Sequence, residues 1–237
     1  MRSLVLALAA TLVSGNPQQA AAADFSAVEV RKIFHDYAIC VVKGHHKLAS
    51  DAILADVDNS QIDSKYADLI SSECMGQVGG AVEAKFTGDS YRYALADALV
   101  NFDFKDAGPT SFADRLPLAH LIPPTQAELD AALAKTKNRR KQDELKAGFE
   151  RANLIVALSR YGECVAREDP VAARYWILTK PDVSEEMSRI NALRPAFSNC
   201  LMGGTTRFTK DILRGAVAIN YYRLAMATKQ PTAGTSK

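Results

Sequence analysis

Strong charge is the first thing missing. Twenty-nine Lys and Arg stand against 27 Asp and Glu, a net charge of +2, too weak a field to suggest a nucleic-acid surface. Long apolar runs are missing too. Leu4–Val13 is ten residues, about half of what a membrane-spanning helix needs. Catalytic signatures are absent: there is no C-x-x-C, no H-E-x-x-H, no G-x-S-x-G and no glycine-rich phosphate loop. These absences exclude the thioredoxin-like, zincin, serine-hydrolase-elbow and P-loop readings in turn. Histidine is scarce, at four residues, and none lies beyond His120. No metal and no cofactor are expected from such a set.

What is present begins with an address. Arg2, the apolar run Leu4–Val13, the breaker Ser14-Gly15-Asn16-Pro17 and the small residues Ala20–Ala23 have the layout of a secretory signal peptide. Cleavage near Ala23 would leave a mature chain starting at Asp24. The first cysteine is Cys40, which argues against N-terminal lipid attachment. The expected location is the bacterial periplasm or the exterior.

Nearly every later segment has helical rhythm. Ser26-Ala-Val-Glu29 and Thr125-Gln-Ala-Glu128 are capping boxes, and Asp182-Val-Ser-Glu185 resembles a third. Pro170 suits a first helical turn. Apolar residues recur every three or four positions in Val30–Val41, Ile62–Cys74 and Ile212–Ala227, whereas clean period-two alternation does not occur. The fold class is therefore all-α. Asp103–Pro124 holds Gly108, Pro109, Pro117, Pro123 and Pro124. It is the natural linker, expected to run outside the units it joins.

The two halves resemble each other. Tyr37-x-x-Cys40-Val41 recurs as Tyr161-x-x-Cys164-Val165, and Ile53-Leu54 as Ile177-Leu178, at an offset of 124. Phe86-Thr87-x-Asp89-x-x-Arg92 recurs as Phe208-Thr209-x-Asp211-x-x-Arg214 at an offset of 122, and Ser72-x-Cys74 as Ser198-x-Cys200 at 126. The order and near-constant spacing point to an internal repeat. The expected organisation is a signal peptide over 1–23, a first helical repeat over 24–102, a linker and connecting helix over 103–150, a second repeat over 151–229 and a polar tail over 230–237.

Four cysteines allow three connectivities. The repeat selects Cys40–Cys74 and Cys164–Cys200, each clamping two helices, with Tyr37 and Tyr161 beside the bridges. Asp89/Arg92 and Asp211/Arg214 stand at i,i+3, which predicts a local ion pair in each half. Arg92 and Arg214 are also the candidate anion-binding residues, should the two helices line equivalent grooves. The basic stretch Lys135–Lys146 reads as a solvated helix face with internal pairing. His45-His46 reads as exposed helix-end histidines.

The expected role is binding or interaction in the cell envelope, with a small ligand or another envelope protein as partner and no nucleic acid. The alternative is a periplasmic hydrolase with its site between the two repeats.

Overall fold

The computed structural model describes residues 26–57, 59–78, 90–201 and 208–227. The expected signal peptide, the glycine pairs Gly79-Gly80 and Gly203-Gly204, the motif start Phe86–Asp89 and the tail Gln230–Lys237 lie outside the described residues. Among those described there are helices and connecting segments but no strand. None of the helices is long and apolar enough to cross a membrane.

The first helix, α1 (Ala27–Leu54), opens on Ser26. Its hydroxyl accepts from the Glu29 N–H while the Glu29 carboxylate reaches back to the Ser26 N–H. At His45 the backbone leaves helical geometry (φ −130°, ψ 38°) and the helix bends. Short pieces follow: α2 (Asn59–Lys65), a 3-10 turn over Ala67–Leu69 and α3 (Ser72–Gln77). The single helix expected over Ser60–Gly76 is thus broken in two places. Ser71 caps the last piece, accepting from the Cys74 N–H.

Next come α4 (Ser90–Asp103), α5 (Gln126–Ala134), α6 (Arg139–Glu168) and α7 (Pro170–Leu178). Thr125 and Glu128 form the expected capping box at α5. Helix α6 runs unbroken across residue 150, where the sequence suggested a boundary. Asp169 ends it (φ −142°, ψ 82°) and caps α7 through the Ala172 N–H, with Pro170 at the first turn. The chain closes with α8 (Ser184–Ala192), α9 (Arg194–Asn199) and α10 (Lys210–Met226). The third capping box does not form. Val183 precedes α8 without a side-chain cap, because Asp182 takes a positive φ of 59° and sends its carboxylate to Arg31 and Lys210.

Helices α1, α4, α10 and α6 pack side by side in that order, with α7 against α4 and α10. Close crossings use small residues. A Cβ added at Gly162 of α6 would collide with the Ala216 carbonyl of α10, and one added at Gly215 would strike the Tyr93 ring of α4. The core between these helices holds Tyr37, Tyr91, Trp176, Tyr221 and Tyr222, all at 1% exposure or less.

Both expected disulfides are present. Cys40–Cys74 joins α1 to α3 and Cys164–Cys200 joins α6 to the C-terminal end of α9, with Cα atoms 5.7 Å apart in both. The tyrosine one turn earlier ties down the same partner. The Tyr37 hydroxyl accepts from the Ser71 N–H at 2.9 Å, and the Tyr161 hydroxyl donates to the Phe197 carbonyl at 3.1 Å.

The segment after α4 does not run outside the body, as a linker should. Phe112 is fully buried and meets Tyr221 edge-on, as does Phe104. Arg167 donates to the carbonyls of Phe112, Arg115 and Leu116, and Arg223 to that of Ala119. Glu163 accepts from the Leu118 N–H, and His120 sits between Glu163 (2.5 Å) and Ser159 (2.9 Å). Prolines prevent this segment from pairing its own backbone as a helix, and buried carbonyls need partners. Arginines of α6 and α10 supply them, so 112–120 is a strap lashed to the second half.

Candidate functional site

A cleft of about 160 Å³ opens where α1, α4 and α10 meet. Apolar walls come from Val30 and Phe34 of α1, Tyr93 and Ala94 of α4, and Ile212 of α10. Charged residues reach it from all three helices: Arg31 and His35, Asp97, and Asp211 and Arg214.

Arg214 is at the bottom, 4% exposed. Its Nε and Nη2 hold both oxygens of Asp97 at 3.0 and 3.1 Å, and Nη2 also donates to the Ile177 carbonyl at 2.6 Å. Its Nη1 reaches Glu186 at 3.5 Å. Nearer the mouth, Arg31 binds Asp182 at 2.6 Å and Glu186 at 2.9 Å, and pairs through Nε with Asp211. Lys210 completes the network on Asp182 and Glu186. His35 Nδ1 lies 3.6 Å from Asp97.

Electrostatics follow from this arrangement. Burial pushes the Asp97 carboxyl up, but the Arg214 charge and the His35 contact outweigh it and leave it below the ordinary range. Burial likewise opposes ionisation of Glu186. Hydrogen bonds from Arg31 and the Asp182 backbone prevail and hold it down to about 2. Asp211 goes the other way: burial and the neighbouring Asp182 and Glu186 carboxylates raise it despite the attraction of Arg31. Two arginines and one lysine thus offset most of the charge of four carboxylates, although Asp182 Oδ2 is buried without a hydrogen-bond partner.

The expected i,i+3 pair in the second half does not form. Asp211 turns to Arg31 of α1, and Arg214 turns inward to Asp97, because a guanidinium buried beside α4 requires a buried counter-charge. In the first half Asp89 lies outside the described residues. Arg92, also 4% exposed, donates to the Val57 carbonyl at 3.0 Å and to Asp56 at 3.3 Å, and Arg223 holds the other oxygen of Asp56 at 3.2 Å. Both candidate anion-binding arginines thus meet carboxylates of their own chain. They belong to separate clusters, and only Arg214 lines the cleft.

The histidines divide. His45 is exposed at the bend of α1, as expected, and His46 pairs with Asp103 at 2.8 Å. His35 and His120, however, are largely buried against carboxylates. Among the described residues no group of three or more His, Cys, Asp or Glu could hold a metal ion.

Sequence reasoning missed Arg31, His35, Asp97, Asp182, Glu186 and Lys210. One signal was legible. Asp97 is the lone charge in Tyr93–Val100, and Arg214 the lone charge in Ile212–Tyr222. Two apolar helices with one opposite charge each are natural partners, since an unpaired buried charge is costly.

Compared with family models, with curated proteins and with solved structures, the chain matches none.

Proposed function

We propose that the protein is an exported binding protein of the bacterial cell envelope, built from two copies of a helical unit, with a small amphipathic ligand held in the cleft between α1, α4 and α10. The observation that carries this reading is the cleft itself. Its apolar walls surround charges that are already largely paired with one another, an arrangement suited to holding a molecule rather than transforming one. A volume of about 160 Å³ matches a ligand about the size of a single ring, since a cavity of roughly 150 Å³ accepts benzene.

Export is supported by the N-terminal pattern and by the two disulfides, which persist in oxidising compartments. Duplication is supported by matching irregularities. The helix breaks at His45 and Asp169 lie 124 residues apart. The positive-φ residues Asp56 and Asp182 lie 126 apart, as do the tyrosine-bonded Ser71 and Phe197.

Native mass spectrometry of protein purified from its own envelope tests the proposal. The expected result is a chain starting near Asp24 that carries a small adduct. The adduct should be lost in Ala94→Phe, which fills the cleft. A chain that keeps Leu4, or carries no adduct in either form, would defeat the export or the binding reading respectively.

A hydrolase is the second reading, favoured by one observation: His35 and Asp97 share the cleft with Ser90. It requires that p-nitrophenyl acetate turnover by the protein vanish in both His35→Ala and Ser90→Ala. Against it, Asp97 is already committed to Arg214.

A further inference from the structure

The network around the cleft of α1, α4 and α10 is short of cations and of hydrogen-bond donors. Asp97, Asp182, Glu186 and Asp211 stand against Arg31, Lys210 and Arg214. With imidazole counted as uncharged, one negative charge is left over. Every nitrogen of both guanidiniums is engaged. Arg31 Nη1 and Nη2 donate to Asp182 and Glu186, and its Nε faces Asp211. Arg214 Nε and Nη2 donate to Asp97, and its Nη1 to Glu186. Among the described residues of this network, the buried polar atom without a hydrogen bond is an acceptor, Asp182 Oδ2.

An anion entering the cleft would have to displace a carboxylate from its arginine, whereas a cation meets a charge that is not yet offset. That charge is reachable at one place. Asp211 lines the cleft with its side chain 52% exposed, while the other three carboxylates are 12% exposed or less. Burial and the carboxylates of Asp182 and Glu186 hold the Asp211 carboxyl above its ordinary range despite Arg31. A further positive charge beside it is therefore favoured. The walls add to the same preference. Phe34 and Tyr93 are among them, and aromatic faces attract cations.

We propose, on the reading of this cleft as a ligand site, that its occupant is an organic cation: a ring-sized arylalkyl amine with its ring between the apolar walls and its ammonium on the Asp211 carboxylate at the mouth. A cleft of about 160 Å³ has room for one ring. An ammonium left at the mouth keeps part of its hydration and avoids the cost of burying a charge. Arg31 is then a positioning residue. It is shared among three carboxylates and fixes Asp211 at the rim without cancelling the cluster.

Titration of the full disulfide-bonded chain with benzylamine, benzyl alcohol and benzoate, followed by amide NMR shifts, tests the charge preference. The measurement is made at about pH 8, where an imidazole is ordinarily uncharged and an alkylamine charged. Benzylamine should bind about tenfold more tightly than either isostere, as one added ion pair predicts. Asp211→Asn should remove that advantage and leave benzyl alcohol unchanged, and Ala94→Phe should abolish binding of all three. The ligand series on the unaltered chain decides the charge preference even where a variant does not fold. Benzyl alcohol or benzoate binding as tightly as benzylamine, and blocked by Ala94→Phe, would overturn the organic cation and leave the cleft reading standing. A benzylamine preference that survives Asp211→Asn would overturn the role of Asp211. Absence of binding by all three, or binding indifferent to Ala94→Phe, would overturn both the cation and the cleft.

Discussion

The face of α6 that carries Ser159, Glu163 and Arg167 and the face of α1 at the corresponding positions, His35, Ile39 and Lys43, have different fates. On α6 the strap 112–120 is lashed down by Glu163 and Arg167. On α1 no comparable strap is described: Ile39 is 37% exposed, and His35 turns to the cleft instead. The same contrast holds one layer down. Arg92 is anchored by a turn through Asp56 and Val57, whereas Arg214 is anchored by a neighbouring helix through Asp97. The two halves thus differ, one side sealed by covalently attached chain and the other open. The open side is where the cleft lies.

If the halves are equivalent in scaffold, their bridges should contribute equally. Closed loops of 34 and 36 residues each stabilise by about 4 kcal/mol in the chain-entropy model. Cys40→Ala/Cys74→Ala and Cys164→Ala/Cys200→Ala should therefore cost the same within about 1 kcal/mol in urea melts, and the quadruple variant about 8. A large inequality would break the comparison at its strongest point.

The arginines should be unequal. Arg214→Met strands Asp97 and Glu186 in the interior and should cost about 3–5 kcal/mol. Arg92→Met leaves Asp56 still held by Arg223 and should cost about 1–3 kcal/mol. Equal losses would mean that the two clusters are interchangeable.

A smaller asymmetry concerns the helix crossings. Gly162 corresponds to Ala38 in the first half. Gly162→Ala should destabilise by about 1–3 kcal/mol through overpacking against Ala216, although the substitution favours the helix. Ala38→Gly should cost only about 1 kcal/mol through propensity.

Acid offers the mildest test. Glu163 beneath the strap and Glu186 beneath the cleft are both held at about 2 against an ordinary value of 4.5. For Glu163, hydrogen bonds from His120, the Leu118 backbone and Arg167 outweigh burial. Carboxyls lowered on folding stabilise fully above their unfolded value and progressively less as pH falls from about 4.5 toward 2. By pH 4 each should have lost about 1 kcal/mol relative to pH 7. Glu163→Gln and Glu186→Gln should flatten the stability–pH curve by similar amounts, and a curve unchanged by either would remove that group from the account.

The all-α class, both bridges and both capping boxes were legible because each is set by local spacing: Ser26 to Glu29, Thr125 to Glu128, and the paired cysteines. The strap was not. Prolines mark where a helix stops, but Phe112 reaches the core only because Tyr221 and Arg167, far along the chain, are waiting for it. Nor was the cleft legible. Arg31, Asp182 and Lys210 carry no local signature, since their roles depend on α1 meeting the turn before α8. Lone charges in apolar helices, Asp97 and Arg214, were the readable trace of it.

The Tyr93 ring resting on Gly215 joins two residues 122 apart, so under the proposed duplication each touches its own counterpart. In a symmetric pair of separate units that position would carry the same residue twice. Opposed tyrosines would collide there, and opposed glycines would leave a hole. Two units on one chain can change independently, letting a large residue on one side fit a bare backbone on the other. Under the proposed duplication, covalent fusion opens to natural variation a complementary fit that identical subunits could never reach.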